Sequence, residues 1–96
     1  MVVVRGVNIY PAAVDQIIRE HGGVAEYQVD VDNRTSMTEL SIAVEPDINC
    51  ADPAGLVKSL SRSFQDSLAL RVPVSSAEPD SLPRFELKAK RWRRLQ

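Results

Sequence analysis

Glu26-Tyr27-Gln28-Val29-Asp30-Val31-Asp32, followed after residues 33–38 by Glu39-Leu40-Ser41-Ile42-Ala43-Val44, is the stretch that decides the fold. Tyr27, Val29 and Val31 point one way and Glu26, Gln28, Asp30 and Asp32 the other, the period of two that belongs to a strand with one buried face. Leu40, Ile42 and Val44 repeat that alternation against Glu39, Ser41 and Ala43. Two one-faced strands joined by a short polar loop make an antiparallel hairpin. Its apolar face needs a cover.

The flanking sequence supplies that cover as helices. Upstream, Val14, Ile17, Ile18 and His21 recur at helical spacing, while Asp15, Gln16, Arg19 and Glu20 fall on the opposite side. Pro11 suits the first position of this helix, where its missing N–H has no partner to lose, and Gly22-Gly23 suits its end. Downstream, Asp52-Pro53 combines an N-cap side chain with a first-position proline. Leu56, Val57, Leu60, Phe64 and Leu68 then form a second apolar stripe. Residues 2–10, rich in β-branched side chains, predict a first strand, and Leu70, Val72 and Val74 predict a last one, at an edge because of Pro73.

The predicted order is strand, helix, strand, strand, helix, strand. This βαββαβ order implies an α+β, ferredoxin-like two-layer sandwich: a four-stranded antiparallel sheet with both helices on one face, plus a basic C-terminal extension. Residues 1–96 make one domain, with 1–80 as its core and 81–96 as the C-terminal segment.

Composition narrows the function. With 96 residues, 44% hydrophobic and 26% charged, the chain has room for one thin core and not for a multidomain enzyme. The net charge of −1 hides an asymmetry: residues 84–96 hold six bases and one acid, so the rest carries −6. The basic end is expected to meet an anion, a partner surface or water, and the acidic body argues against a nucleic-acid partner. The lone Cys50 forbids an internal disulfide and suits a reducing compartment. The opening apolar run stops at Arg5, too short for a signal core or a membrane span, so the expectation is a cytoplasmic protein without a membrane partner.

The body shows no catalytic constellation. His21, the single histidine, sits at a helix end where a ring can satisfy carbonyls. Cys50 has no second ligand to build a metal site or activate its thiol. Asp30, Asp32 and Asn33 match the start of a calcium loop, but Arg34 occupies the next ligand position. Two segments carry more. In Val4-Arg5-Gly6-Val7-Asn8-Ile9-Tyr10-Pro11 a glycine interrupts a strand-like run, which marks a bulge or a close approach to the backbone. In Ser81-Leu82-Pro83-Arg84-Phe85-Glu86-Leu87-Lys88-Ala89-Lys90-Arg91 the charges lie beyond the last predicted strand.

Arg5-Gly6-Val7-Asn8-Ile9-Tyr10-Pro11 resembles the start of the small C-terminal domain of phenylacetate–CoA ligases and coenzyme F390 synthetases, in the adenylate-forming acyl-CoA synthetase superfamily. Ser81-Leu82-Pro83-Arg84 with Glu86 and Lys88-Ala89-Lys90-Arg91 resembles that domain's end. The resemblance spans essentially the whole chain. It implies a mobile lid, inactive alone, that serves a large N-terminal adenylation domain in the same or a separate polypeptide. That domain would bind ATP with magnesium, CoA and an aromatic or other carboxylic acid; no cofactor would be held by the small domain alone. By position Lys88 is the adenylation lysine, stabilising negative charge as the carboxylate attacks phosphorus. Arg5, Gly6 and Val7 match the segment facing the CoA tunnel in the thioester-forming orientation. Leu87 stands where the family usually has glycine and Phe85 replaces a small polar residue. That departure favours the alternative, a stand-alone ferredoxin-like regulatory or protein-interaction module without catalysis.

Overall fold

A computed structural model describes residues 2–34, 37–78, 81–82 and 91–95. In chain order its elements are β1 (Val2–Val4), β2 (Val7–Ile9), α1 (Pro11–His21), β3 (Val24–Asp32), β4 (Glu39–Pro46), α2 (Pro53–Leu68), β5 (Val74–Ser76) and β6 (Trp92–Leu95). The deciding hairpin forms as its alternation predicts. β3 and β4 pair antiparallel with Tyr27 opposite Val44, Val29 opposite Ile42 and Val31 opposite Leu40, so all six apolar side chains share one face. Val14 and Ile18 of α1 and Leu56, Leu60 and Phe64 of α2 join them in a single buried cluster. Both helices therefore cover the same face.

The helix boundaries obey the local chemistry. Pro11 opens α1 and Pro53 opens α2. The Asp52 carboxylate accepts from the Gly55 N–H at 3.1 Å, a side-chain N-cap. α1 ends as its Gly22 N–H bonds the Ile18 carbonyl at 3.0 Å.

The sheet differs from the expected ferredoxin-like one. Its order is β5-β4-β3-β6, and it is mixed: only β3 and β4 are antiparallel, while β4 pairs with β5 and β3 with β6 in parallel. The expected first strand, residues 2–10, is absent from it. That run folds back on itself instead, with Val2 opposite Ile9 and Val4 opposite Val7. The cause lies at the turn. Arg5 and Gly6 both have positive φ (51° and 81°), the geometry of a two-residue hairpin whose twist matches its strands. Once those backbone groups pair locally, the place beside β4 is open to β5, which returns there through α2. The small hairpin still contributes to the core, since Val4 and Ile9 are buried.

The second difference is at the C-terminal end. Trp92–Leu95, expected as part of a basic extension outside the core, forms the edge strand β6 against Val29–Asp32. Among the described residues no helix is long and apolar enough to cross a membrane.

Candidate functional site

The three residues predicted to face CoA form the tip and return strand of the small hairpin. Arg5 reaches across to the start of β4, its Nη2 donating to Glu39 Oε1 at 2.8 Å, with both side chains about half exposed. Gly6 is exposed, and a Cβ built on it meets no atom within 4 Å. Within this chain its glycine is required by backbone conformation and not by crowding. Val7 is half-buried against the core. The hairpin thus presents an unobstructed backbone surface at its tip, stapled at its base by packing and at one side by an ion pair.

Lys88 lies outside the described residues. Its downstream flank, by contrast, is built in detail. Arg91 precedes β6, and its guanidinium is turned inward. Arg91 Nε donates to Glu26 Oε1 at 2.6 Å and Nη2 to Glu26 Oε2 at 3.4 Å, a bidentate grip. Arg91 Nη1 lies 3.9 Å from Asp15 Oδ1. The guanidinium carbon sits 5.0 Å above the centre of the Tyr27 ring, a cation–π arrangement. Tyr27 O–H in turn donates to Asp15 Oδ1 at 2.8 Å, and Arg19 Nε donates to Asp15 Oδ2 at 2.7 Å. The arginine side chain is 12% exposed, Glu26 6% and Asp15 7%. Burial, with Asp15 as hydrogen-bond acceptor and as a nearby negative charge, pushes the Tyr27 hydroxyl far above its ordinary range. The Glu26 carboxylate raises Arg91 further, so the guanidinium stays charged.

The upstream flank is held as well. Leu82 N–H donates to Glu45 Oε1 at 3.4 Å, and Ser81 caps a turn through its N–H and Oγ on the Glu78 carbonyl, at 3.1 and 2.6 Å. Glu45 is 2% exposed and stands directly opposite Glu26 in the β3–β4 ladder. Asp15, Glu26 and Glu45 also interact with further groups.

Neither acid was expected inside. Asp15 sits at a position that helical spacing assigns to the polar side of α1, and Glu26 at one that alternation assigns to the open face of the sheet. Glu26 is buried with Arg91 as its counter-ion, Asp15 with Tyr27 O–H and Arg19 as its direct partners, and a register shift between Val24 and Glu26 re-aims the strand there. The available signal is the pairing of an acidic body with a basic end: on the exposed face Arg93 also pairs with Asp30, at 2.9 and 3.0 Å. Among the described residues, Arg91 and Arg93 are thus committed to the protein's own acids.

The other candidates resolve into structural roles. His21 links the helices: its Nδ1 bonds the Gly22 carbonyl at 2.8 Å and its Nε2 bonds Ser59 Oγ at 2.7 Å. Asp32 is held by the Arg34 guanidinium and N–H, which lowers its carboxyl to about 2. Cys50 is half-buried beside the core. Among the described residues no group of histidine, cysteine and acid side chains is arranged to hold a metal ion.

A glycine-tipped N-terminal hairpin and a C-terminal strand clamped by buried acids place the molecule among small two-helix α+β domains with a mixed sheet. The sequence profile of the AMP-binding enzyme C-terminal domain matches residues 6–93, and the chain belongs to that family. It is 29% identical over 99 residues to phenylacetate-coenzyme A ligase of Aromatoleum evansii, covering 95% of this chain and 22% of that enzyme. A crystallised domain of phenylacetate-coenzyme A ligase from Bacteroides vulgatus shares the fold, with a TM-score of 0.80 at 23% identity over 99% of this chain and 92% of that one. 2-Hydroxyisobutyryl-CoA ligase matches in two states. In the postadenylation state with its acyl-AMP the TM-score is 0.82 at 28% identity, over 96% of this chain and 21% of that one. In the state with acyl-AMP and CoA it is 0.79 at 30% identity, over 95% and 20%. The chain spans about a fifth of the length of these complete ligases.

Proposed function

We propose that the chain acts as the mobile C-terminal lid of an AMP-forming acid–CoA ligase of the phenylacetate–CoA ligase type. In this reading it supplies Lys88 to adenylation of a carboxylate and the Arg5-Gly6-Val7 hairpin to thioester formation. The observation that carries it is the family match over residues 6–93, with the same fold present in a CoA ligase solved both after adenylation and with CoA bound. ATP, CoA and the acid would be bound chiefly by the large adenylation domain, with magnesium arriving with ATP.

Each part of the chain has a physical task in this scheme. Lys88 would place a positive charge where negative charge accumulates between carboxylate and phosphate, lowering the barrier electrostatically. The hairpin tip offers CoA a backbone without a side chain at Gly6. The half-exposed Arg5, with one nitrogen engaged by Glu39, keeps further N–H groups for anionic oxygens.

The test joins the chain to a phenylacetate–CoA ligase that lacks its own C-terminal domain and follows AMP and thioester release. The expected result is restored turnover with the joined domain and none with the 96-residue chain alone. Turnover by the chain alone, or no restoration by a folded joined domain, overturns the reading.

A further inference from the structure

The sheet ends on one side at β5, which among the described residues pairs with β4 on its inner side alone. The Pro73 carbonyl accepts from the Ile42 N–H at 2.9 Å, and the Ala77 N–H donates to the Val44 carbonyl at 2.7 Å. Residues 73, 75 and 77 therefore turn their backbone groups toward β4. By strand alternation Val74 and Ser76 turn theirs to the open edge. Proline commonly blunts such an edge, but the Pro73 nitrogen belongs to the inner side, so the outer side keeps its donors. Val74 is half-buried, while Ser75 and Ser76 are exposed.

Beside this edge runs an open groove of about 750 Å³ between α2 and residues 71–74. Three exposed cations line it: Lys58 and Arg62, one turn apart on α2, and Arg71. Among the described residues none of the three is ion-paired, and no acid lines the groove. Asp66, one turn past Arg62, lines a different groove with Glu20 and His21. Like charges four residues apart on a helix repel, so Lys58 and Arg62 gain from an anion held between them. Val57 and Val74 add apolar surface to the same groove.

We propose that the outer edge of β5 is a docking surface for an extended acidic segment of a partner protein, which adds to the sheet as a further strand while its carboxylates meet Lys58, Arg62 and Arg71. Backbone bonds to Val74 and Ser76 supply the pairing, and the cations select the sequence that pairs. A second copy of this chain is the poorer occupant, because joining two β5 edges brings two cationic grooves side by side. The proposal goes beyond the ligase reading and uses no residue assigned to adenylation or to CoA.

The probe is a blocked, fluorescein-labelled peptide of alternating glutamate and valine, titrated into the chain at low salt and followed by anisotropy. Saturable binding is expected, about tenfold weaker in Arg62→Glu and in Arg71→Glu. Arg94→Glu, at the opposite edge of the sheet, should stay within about twofold of the parent. Circular dichroism checks that each variant folds, and Lys58→Glu replaces any that does not. A second peptide with proline at every valine keeps the charge but cannot pair as a strand, and should bind about tenfold more weakly. Hydrogen exchange locates the contact: with the first peptide bound, the Val74 and Ser76 amides should slow about fivefold or more, and that of Ser75, which faces β4, should not. Failure of the acidic peptide to bind, equal binding of the proline form, or unchanged exchange at Val74 and Ser76 overturns the proposal. Displacement by inorganic pyrophosphate at equal concentration overturns it in favour of a small-anion site. Sedimentation as a dimer that Arg62→Glu dissolves overturns it in favour of a second copy.

Discussion

At the scale of single residues, the most informative side chain is Tyr27, whose ring forms part of the core and whose hydroxyl serves the Asp15–Arg91 cluster. Its folded-state ionisation lies above the ordinary 10.0 of a free tyrosine. A raised value means that folding favours the protonated form. The resulting stability is fully present below pH 10 and is lost as pH climbs from there toward the folded value. Tyr27→Phe removes both the titration and the hydrogen bond. It is expected to lower stability at pH 7 by about 1–3 kcal/mol, the usual cost of taking one donor from a buried acceptor. Thermal melts from pH 8 to 11 should show the difference between parent and variant shrinking above pH 10; a constant difference means the hydroxyl is not protected as described. Gly6 gives a second residue-scale prediction. Its φ of 81° is costly for a β-branched side chain, so Gly6→Val should destabilise by about 1–2 kcal/mol even though space around it is free.

At the scale of elements, the start of α2 predicts that an ordinary gain is cancelled. Glycine within a helix normally costs about 1 kcal/mol relative to alanine, so Gly55→Ala is ordinarily a stabilising change. Here a Cβ at position 55 runs into the Asp52 carboxylate that caps the helix. Gly55→Ala is therefore expected to lose its usual benefit in the parent and leave stability nearly unchanged, Asp52→Ala to cost about 1 kcal/mol, and Gly55→Ala to become stabilising once Asp52 is alanine. A four-variant denaturation cycle reads this directly; additive effects contradict the geometry. The cap and its proline were legible in the sequence because they act on adjacent backbone groups, and β3 and β4 were legible because one buried face enforces alternation. The strand over residues 2–10 was not, because Gly6 is compatible with a bulge, a close approach or a turn, and only the backbone geometry chooses. β6 was obscured for a different reason. Charge density in Lys90-Arg91-Trp92-Arg93-Arg94 reads as a solvated tail, whereas pairing of Arg91 and Arg93 with distant acids depends on strand order. For the candidate site, Arg5, Gly6 and Val7 were singled out by resemblance and by a glycine within a strand-like run, neither of which announces a hairpin, while Asp15 and Glu26 were hidden because periodicity places charged residues by face and takes no account of a later counter-ion.

At the scale of the whole molecule, the described part of the basic end closes the structure, with Arg91 and Arg93 paired to the protein's own acids. β6 covers the open edge of β3, and a bare edge strand is a template for pairing with other chains. Removing residues 91–96 deletes this cover and also takes the guanidinium from the buried Glu26. Breaking a buried pair from one side costs about 3–5 kcal/mol, a large share of the 5–15 kcal/mol that holds a typical domain together. The truncated chain is therefore expected to melt far below the parent and to self-associate. Arg93→Met, which loosens only a more exposed pair on the same strand, should keep the parent's association state with a nearly unchanged melting temperature. Calorimetry combined with analytical ultracentrifugation separates the two outcomes. If the truncated chain keeps the parent's association state and melts with it, β6 contributes nothing to the fold.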